Sequence, residues 1–456
     1  MKKNYYAKVL ALTVAASMVS VPAFAAEDVA PAAQEQGKEG ENEQISKDSE
    51  EETKEQTIKG ETPATEPTTQ VTTGDEAITI TPQSEGGVIS EDTEWTDETT
   101  LAENLTIAEE KTLTLKGQVT ISGDVTISGG TIKRGEAFKD YMIVVPEGSS
   151  LTLKDVKIDG GAVCADGYSI LYVKGGAFKN NAAATTGGGI NVYSSCLRMS
   201  GGTISENTAV STNDSTGNGG GLNLTVGSVA DITGGTIENN QSNSGGGIYA
   251  NGKSSFTASN LKITGNTAAT NGGGICIPGT KDYEYNVSLE NVLIQGNKSE
   301  SGSGAGICAA RAWKEETSTG VLTLKNCQIK ENYGTVAGGG IYLDKGVTAT
   351  MDGGEISGNH VINPTSQTNG GGIAVGGTFT LNSGKISDNI KDGSWNGGAA
   401  ASVSGTFTMN GGEVSGNIDT CTAENAENRT IGGGAFYVLG GTLNINGGTI
   451  TNNTSH

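Results

Sequence analysis

The chain contains 456 residues, of which 71 are glycine and 8 are proline, and its formal net charge is −22. Apolar residues make up 34% and aromatic residues 5%, which is fewer large side chains than a compact globule normally holds. Scarce proline and the lack of a third-residue glycine period exclude collagen. No long apolar run follows the N-terminus, which excludes a multi-pass membrane protein. The acidic balance argues against a nucleic-acid partner.

The first residues have the pattern of a secretory signal peptide. A basic start with Lys2 and Lys3 precedes an apolar or small-residue stretch from Val9 to Phe24, and Ala23-Phe24-Ala25 is a small-x-small cleavage signal. We expect residues 1–25 to be removed. The mature chain is then secreted or displayed on a bacterial cell surface, with no membrane insertion after cleavage.

Residues 26–75 form an acidic, low-complexity stretch. They contain 14 acidic and 4 basic side chains and no aromatic residue. Such a segment cannot bury enough apolar surface to offset its ordering entropy. The sequence therefore predicts a disordered linker over 26–75, acting as an extended tether or a solubilising tail, and an N-terminal transition or cap over 76–104.

Residues 105–456 repeat, with a step of 26 to 35 residues in the regular part. One recurring piece is a glycine run followed by an apolar residue, as in Gly245-Gly246-Gly247-Ile248. The other is an apolar residue, two further residues and an asparagine, as in Ile356-Ser357-Gly358-Asn359. The asparagines of the second piece are Asn181, Asn207, Asn240, Asn266, Asn297, Asn332, Asn359, Asn389, Asn417 and Asn453.

Within each repeat the apolar residues alternate with polar ones. Thr378-Phe379-Thr380-Leu381 is typical, and a period of two with β-branched residues indicates strands. Three short strands per repeat predict an all-β fold, a parallel β-helix (solenoid) of about a dozen coils. Stacking then aligns the inward residues into apolar rows and pairs the backbone of each coil with its neighbours.

Two polar features fit that stacking. Asparagine tolerates the left-handed conformation of a corner, and stacked side-chain amides hydrogen-bond from coil to coil. We therefore expect the ten asparagines to form a structural ladder. Glu355, Lys385 and Glu413 occupy the same outward position in three consecutive coils, which predicts an alternating charge row rather than a catalytic one.

The cysteines match no zinc-site spacing, and the sequence indicates neither a metal nor a cofactor. Cys276 and Cys308 both follow the isoleucine of a glycine-run piece. They are therefore expected to be outward neighbours on adjacent coils, either as free thiols or as a disulfide under oxidising conditions.

Binding by a solenoid uses insertions that stack at one corner. Two insertions, 278–286 and 309–320, fall at the same point of consecutive coils, and longer corners follow the asparagines at 360–369, 390–396 and 418–431. Exposed aromatic and basic side chains are suited to a glycan or a protein surface, although they can also simply cover the corner. The candidate binding residues are Tyr283, Tyr285, Arg311, Trp313 and Trp395.

The repeat resembles that of a known family. Gly175-Gly176-Ala177-Phe178, with Asn181 three residues after the phenylalanine, is similar to the glycine-glycine-x-apolar and Phe-x-x-Asn repeats of chlamydial polymorphic outer-membrane proteins, and the likeness covers about residues 129–456. The resemblance implies a right-handed parallel β-helix of the pectate-lyase-like superfamily, placed at the cell surface and serving in adhesion.

Three functions remain open at the level of sequence. The favoured one is an adhesin-like protein that binds a glycan or protein through stacked corner insertions, with end-to-end self-association as a further contact. The second is a polysaccharide lyase or hydrolase, although neither clustered aspartates nor a His-Gly pair is present. The third is a passive spacer.

Overall fold

The structure is a computed structural model that describes residues 87–136, 141–183, 186–209, 217–251, 253–312, 318–362, 369–392, 397–420 and 432–456. The expected signal peptide and acidic linker, and residues 76–86, lie outside these ranges. Within them the chain forms strands and no helix. The same residues therefore contain no helix long and apolar enough to cross a membrane.

Three parallel sheets run along the described part of the chain. The largest, which we call the large sheet, has 23 strands there. Its strands are Gly87–Ile89, Thr93–Trp95, Leu105–Ile107, Thr112–Leu115, Asp124–Ser128, Thr131–Arg134, Ser150–Lys154, Lys157–Asp159, Ile170–Lys179, Cys196–Ser205, Val229–Ile232, Gly235–Glu238, Ser255–Ser259, Leu261–Thr264, Tyr285–Glu290, Leu293–Gln295, Gly320–Lys330, Val347–Ser357, Thr378–Ser387, Thr406–Met409, Glu413–Ser415, Thr442–Ile445 and Thr449–Thr451.

The second sheet contains the strands that follow the glycine runs, and we call it the glycine-run sheet. Thirteen described strands pair in chain order within it. They are Thr99–Leu101, Val119–Ile121, Ile143–Val145, Val163–Asp166, Ile190–Tyr193, Leu222–Thr225, Ile248–Ala250, Ile275–Gly279, Ile307–Arg311, Ile341–Leu343, Ile373–Val375, Ala401–Val403 and Phe436–Val438.

The third sheet, the short sheet, consists of two-residue strands directly after the asparagines. Its nine described strands are Thr208–Ala209, Gln241–Ser242, Thr267–Ala268, Lys298–Ser299, Tyr333–Gly334, His360–Val361, Ile390–Lys391, Ile418–Asp419 and Thr454–Ser455. A further pair joins Asn369–Gly370 to Gly397–Gly398.

Every strand pairs in parallel with its counterpart one coil away. Thr350, for example, lies opposite Thr380, and Thr380 lies opposite Thr408. The predicted all-β parallel β-helix is thus confirmed, with thirteen coils over the described ranges where about a dozen were expected. Residues 87–101, expected as part of a cap, form strands of the same sheets, since Gly87 already pairs with Leu105.

Each regular coil has four segments rather than three. The large sheet has two arms, an upstream arm and a downstream arm, which a glycine bend separates. Gly353 and Gly354 make this bend within strand Val347–Ser357, with φ values of 78° and 80°. The short sheet is the additional segment. Sequence reasoning missed it because two residues are too few to show alternation.

The core is a set of apolar rows inside the coils. Isoleucines from the glycine-run sheet and from the downstream arm are fully buried in successive coils, for example Ile248, Ile275 and Ile307 in the first row. Burying one such side chain contributes about 1.5–3 kcal/mol. Phe379 and Phe407 continue the packing from the upstream arm, with ring centroids 5.2 Å apart. Stacking therefore builds a core from few large residues per coil.

The ten asparagines lie in one line at the corner after the downstream arm. Each Nδ2 donates to Oδ1 of the asparagine in the next coil at 2.7–3.0 Å, without a break from Asn181 to Asn453. The backbone N–H of each donates to the same Oδ1 at 2.9–3.1 Å. From Asn207 onward, Nδ2 also donates to an apolar residue's carbonyl one coil back.

The glycine runs are needed for two reasons. The first glycine of six runs, from Gly187 to Gly338, has a φ between 64° and 68°, which side chains with a Cβ rarely adopt. The third glycine packs on the asparagine ladder. A Cβ on Gly221 would lie 3.0 Å from Nδ2 of Asn240, and one on Gly340 the same distance from Nδ2 of Asn359. The two recurring sequence pieces therefore pack against each other, glycine run against asparagine.

The alternating charges lie on the outer face of the downstream arm. Lys385 pairs in register with Glu355 on one side and Glu413 on the other. Its Nζ lies 3.4 Å from Oε1 of Glu413. A hydrogen bond from Ser415 and the nearby Lys385 lower the pKa of Glu413. This row is an exposed ion-pair ladder.

Candidate functional site

The three described candidate binding residues differ in exposure and contacts. Tyr283 is 47% exposed, and Nζ of Lys253 from the preceding coil lies 3.6 Å from its ring centroid, which is a cation–π contact. Arg311 contacts Asp344, with Nε 3.4 Å from Oδ2. Trp313 and Trp395 lie outside the described residues.

The expectation that Tyr285 is exposed is wrong. Its side chain is fully buried, because Tyr285 begins strand Tyr285–Glu290 at an inward position opposite Gly320. The ring lies where a Cβ on Gly320 would be. Burial raises the pKa of its hydroxyl strongly. Tyr285 therefore fills the space over a glycine and contributes no surface for a ligand.

Cys276 and Cys308 are opposite each other in register on adjacent coils, and both are free thiols. They are buried, although they were expected on the outer face. The first glycine of each run folds back over this position, and a Cβ on Gly272 would lie 2.6 Å from Cβ of Cys276. A hydrogen bond with Cys276, together with burial, raises the pKa of Cys308 well above its ordinary value.

His360 lies in the short sheet and contacts two neighbouring coils. Its Nε2 lies 2.6 Å from Oδ2 of Asp392, and the Tyr333 ring lies 6.2 Å away between centroids. Within the described ranges no three His, Cys, Asp or Glu side chains are placed to hold a metal ion.

The structure reveals a row of exposed side chains where the glycine-run sheet turns into the upstream arm. Tyr168, Tyr193, Val226 and Tyr283 are 43–53% exposed. These four residues lie on four of five consecutive coils. Lys253 is exposed on the fifth, between the coils of Val226 and Tyr283. We call these five residues the corner ridge. At about 4.8 Å per coil, four steps span about 19 Å.

Two residues of the corner ridge have an unfavourable backbone conformation. Tyr168 has a φ of 66° and Val226 a φ of 56°, and a β-branched residue in the left-handed region is a true outlier. The backbone N–H of Val226 donates to Oδ1 of Asn251 at 3.2 Å. Val226 is therefore both strained and exposed, and residues of this kind concentrate at functional sites.

A groove lies directly downstream along three of the same coils, on the outer face of the upstream arm. Its volume is about 170 Å³, and we call it the cationic groove. Its lining residues are Tyr172, Lys174, Arg198, Met199, Ser200, Asp231 and Thr233.

Register places the groove side chains in neighbouring coils. Tyr172 lies opposite Arg198, and Arg198 lies opposite Asp231. Nζ of Lys174 is 5.9 Å from the Tyr172 ring centroid. Asp231 is directed toward the next coil, where its Oδ1 accepts a hydrogen bond from Thr257 at 3.0 Å. The arrangement combines an aromatic face, cations and hydroxyl groups in one shallow depression.

The charges at the groove and on the coil before it differ from those further along the sheet. Lys154 and Lys174 are in register on adjacent coils, and like charges directly opposite destabilise a sheet. Neither of them, nor Arg198, forms an ion pair with a described residue. In later coils Lys325 and Lys385 each pair with a glutamate.

Comparisons with known proteins gave no similarity, since no family model, no curated protein and no solved structure matches the chain.

Sequence reasoning missed the ridge and the groove because it looked for insertions. One signal was present in the sequence: Tyr193 and Tyr168 each come one to three residues after the last inward residue of a glycine-run strand. Only the coil register shows that such residues share one corner.

Proposed function

We propose that this protein is a secreted, adhesin-like binding protein whose β-helix presents the corner ridge and the cationic groove to an extended, negatively charged glycan. The observation that carries the proposal is that exposed aromatic side chains and cations that form no ion pair with a described residue lie on the same coils. Aromatic side chains offer rigid apolar faces with polar edges, which suits sugar rings. Lysine and arginine supply charge-assisted hydrogen bonds to carboxylate or sulfate groups.

The regular spacing of the ridge side chains supports a linear polymer as the ligand. The ridge offers one exposed side chain per coil over about 19 Å, which is the length of several sugar rings. Lys154 and Lys174 lie directly opposite each other, which costs stability in the free protein, and an anionic ligand reduces that cost. The resemblance to surface repeat proteins points in the same direction.

Binding to immobilised polygalacturonate and heparin, compared with neutral dextran, tests the proposal. We expect the full mature chain to bind at least one of the charged polymers and not dextran. Tyr168→Ala and Tyr193→Ala are each expected to weaken binding about tenfold, as truncation of an interface aromatic does.

Tyr333→Ala is the matched control, because Tyr333 is also exposed but lies in the short sheet. Three results would contradict the proposal: an equal loss of polymer affinity in this control, binding of the wild-type protein to dextran, or unchanged polymer binding after both ridge substitutions. Binding to an acidic protein but to neither polymer would instead favour a protein ligand.

A further inference from the structure

One ion pair among the described residues is completely buried. Lys391 and Asp419 lie opposite each other in the short sheet, with Nζ 3.0 Å from Oδ1 and both side chains 0% exposed. Every other described ion pair keeps at least 13% of each side chain exposed. This pair therefore differs in kind from the surface ladders.

The fold does not require charge at this position. The register gives the inward residues of the preceding short strands. They are Ala209, Ser242, Ala268, Ser299, Gly334 and Val361. Two charges taken out of water lose more solvation than their attraction commonly restores, and small apolar replacements are often neutral or stabilising. The pair is therefore a feature of these two coils and not of the solenoid in general.

The two strands are held together beside the pair. Oγ1 of Thr420 donates to Oδ1 of Asp392 at 2.6 Å, and the backbone N–H of Thr420 donates to the carbonyl of Lys391 at 3.0 Å. Reacting groups that are fixed in contact need no further ordering before they react.

We propose that Lys391 and Asp419 condense to form an intramolecular isopeptide bond between two neighbouring coils. The reaction starts from the neutral amine and the carboxylic acid, which form when one proton passes from the ammonium to the carboxylate across the 3.0 Å contact. The amine nitrogen then attacks Cγ of Asp419. A new N–C bond forms and one C–O bond breaks. The hydroxyl group of the carboxylic acid leaves as water together with one proton of the amine. No oxidant, reductant or other reactant is needed.

The product removes the electrostatic cost and adds a covalent tie. A neutral amide replaces two buried charges. The link closes the chain between adjacent coils and so reduces the freedom of the unfolded state, as other covalent cross-links do. Its function would be to secure the C-terminal coils against unwinding.

Intact-mass measurement of the reduced and alkylated mature protein tests the proposal. We expect a mass lower than that of the sequence by one water molecule, and a branched peptide that joins Lys391 to Asp419 after proteolysis. Lys391→Met restores the sequence mass, whereas Lys385→Met, in an exposed pair of the same coil, keeps the loss of water. Asp419→Asn is expected to lose ammonia instead of water.

Several results would overturn the bond. One is the full sequence mass with Lys391 and Asp419 recovered in separate linear peptides. Another is loss of water without a branched peptide, which indicates dehydration elsewhere. The double variant Lys391→Met/Asp419→Leu adds a stability readout. A simple ion pair predicts an unchanged or higher thermal midpoint, whereas the covalent bond predicts a midpoint lower by several degrees.

Discussion

The asparagine ladder shows how a single residue type can fix the register of a solenoid. An internal member such as Asn297 is fully buried. It donates two hydrogen bonds from Nδ2, to Oδ1 of Asn332 and the carbonyl of Ile263. Its own Oδ1 accepts two from Asn266. A neighbouring coil shifted by one residue would lose all of these bonds, so the ladder opposes slippage.

Asn297→Ala should therefore be strongly destabilising. It leaves buried donors of Asn266 without an acceptor, at a cost of about 1–3 kcal/mol for each unsatisfied group. We expect the free energy of unfolding to fall by about 3 kcal/mol or more, measured by denaturant titration. Asn453→Ala, at the partly exposed last position of the ladder, is the control and should cost clearly less. Similar losses in the two variants would contradict the role given to the internal bonds.

The paired cysteines also lead to a residue-level prediction. Because the pKa of Cys308 is raised, the thiolate that reacts is scarce at neutral pH. Alkylation of Cys308 in the folded protein should be slow at pH 7 and become faster as the pH rises toward the raised pKa. Refolding under oxidising conditions is expected to give a Cys276–Cys308 disulfide, because in-register positions on adjacent strands lie within bridging distance.

Mass spectrometry with and without reductant measures this cross-link. Cys308→Ser should abolish it and Cys327→Ser should not. Refolded protein in which both thiols stay free would show that the register alone is not sufficient for the disulfide to form.

At the scale of elements, the strands were predictable and one corner was not. Inward isoleucines such as Ile248 and Ile356 repeat at fixed positions, so the period of two identifies their strands. The short sheet has no such signal, because its inward residue changes from alanine and serine to valine, lysine and aspartate along the chain. Tyr285 was assigned to the surface because an insertion's length does not show where the inward register resumes.

The corner ridge provides a test that separates binding from folding. Val226→Gly removes an apolar side chain from a left-handed position. The strain that it relieves, about 1–2 kcal/mol, is similar to the unfolded-state entropy that glycine adds. We expect stability to stay within about 1 kcal/mol of wild type while binding to the charged polymer weakens severalfold. Thermal unfolding and polymer affinity measure the two effects.

The control for this element is Val229→Ala, which shortens an exposed side chain in the regular strand beyond the corner. It should change both properties little. A large loss of stability in Val226→Gly with unchanged binding would mean that the corner serves the fold alone.

Across the whole described solenoid, charge is arranged in two ways. Lysines of later coils alternate with glutamates, as Lys385 does with Glu413. Lys154 and Lys174 instead face each other without a described carboxylate in ion-pair distance. The overall net charge of −22 conceals this local patch. The composition alone argues against nucleic acid as a binding partner. Only the register of the strands shows where positive charge accumulates.

Self-association of the solenoid stays a prediction. Ile445 and Ile450 in the last described coil are among the exposed large apolar residues. Sedimentation of the mature protein at increasing concentration measures this property independently of ligand binding.

The central claim is that the cationic groove binds an anionic glycan, and the salt dependence of polymer affinity tests it most directly. Affinity of wild type for the charged polymer should fall as salt rises, because screening weakens exposed charge interactions. Lys154→Gln/Lys174→Gln should bind about tenfold more weakly at low salt, the equivalent of about 1.4 kcal/mol, and show a flatter salt dependence. Lys385→Gln, which removes a lysine of the paired ladder, should match wild type. Equal affinities and equal salt slopes for wild type and the double variant would contradict the claim.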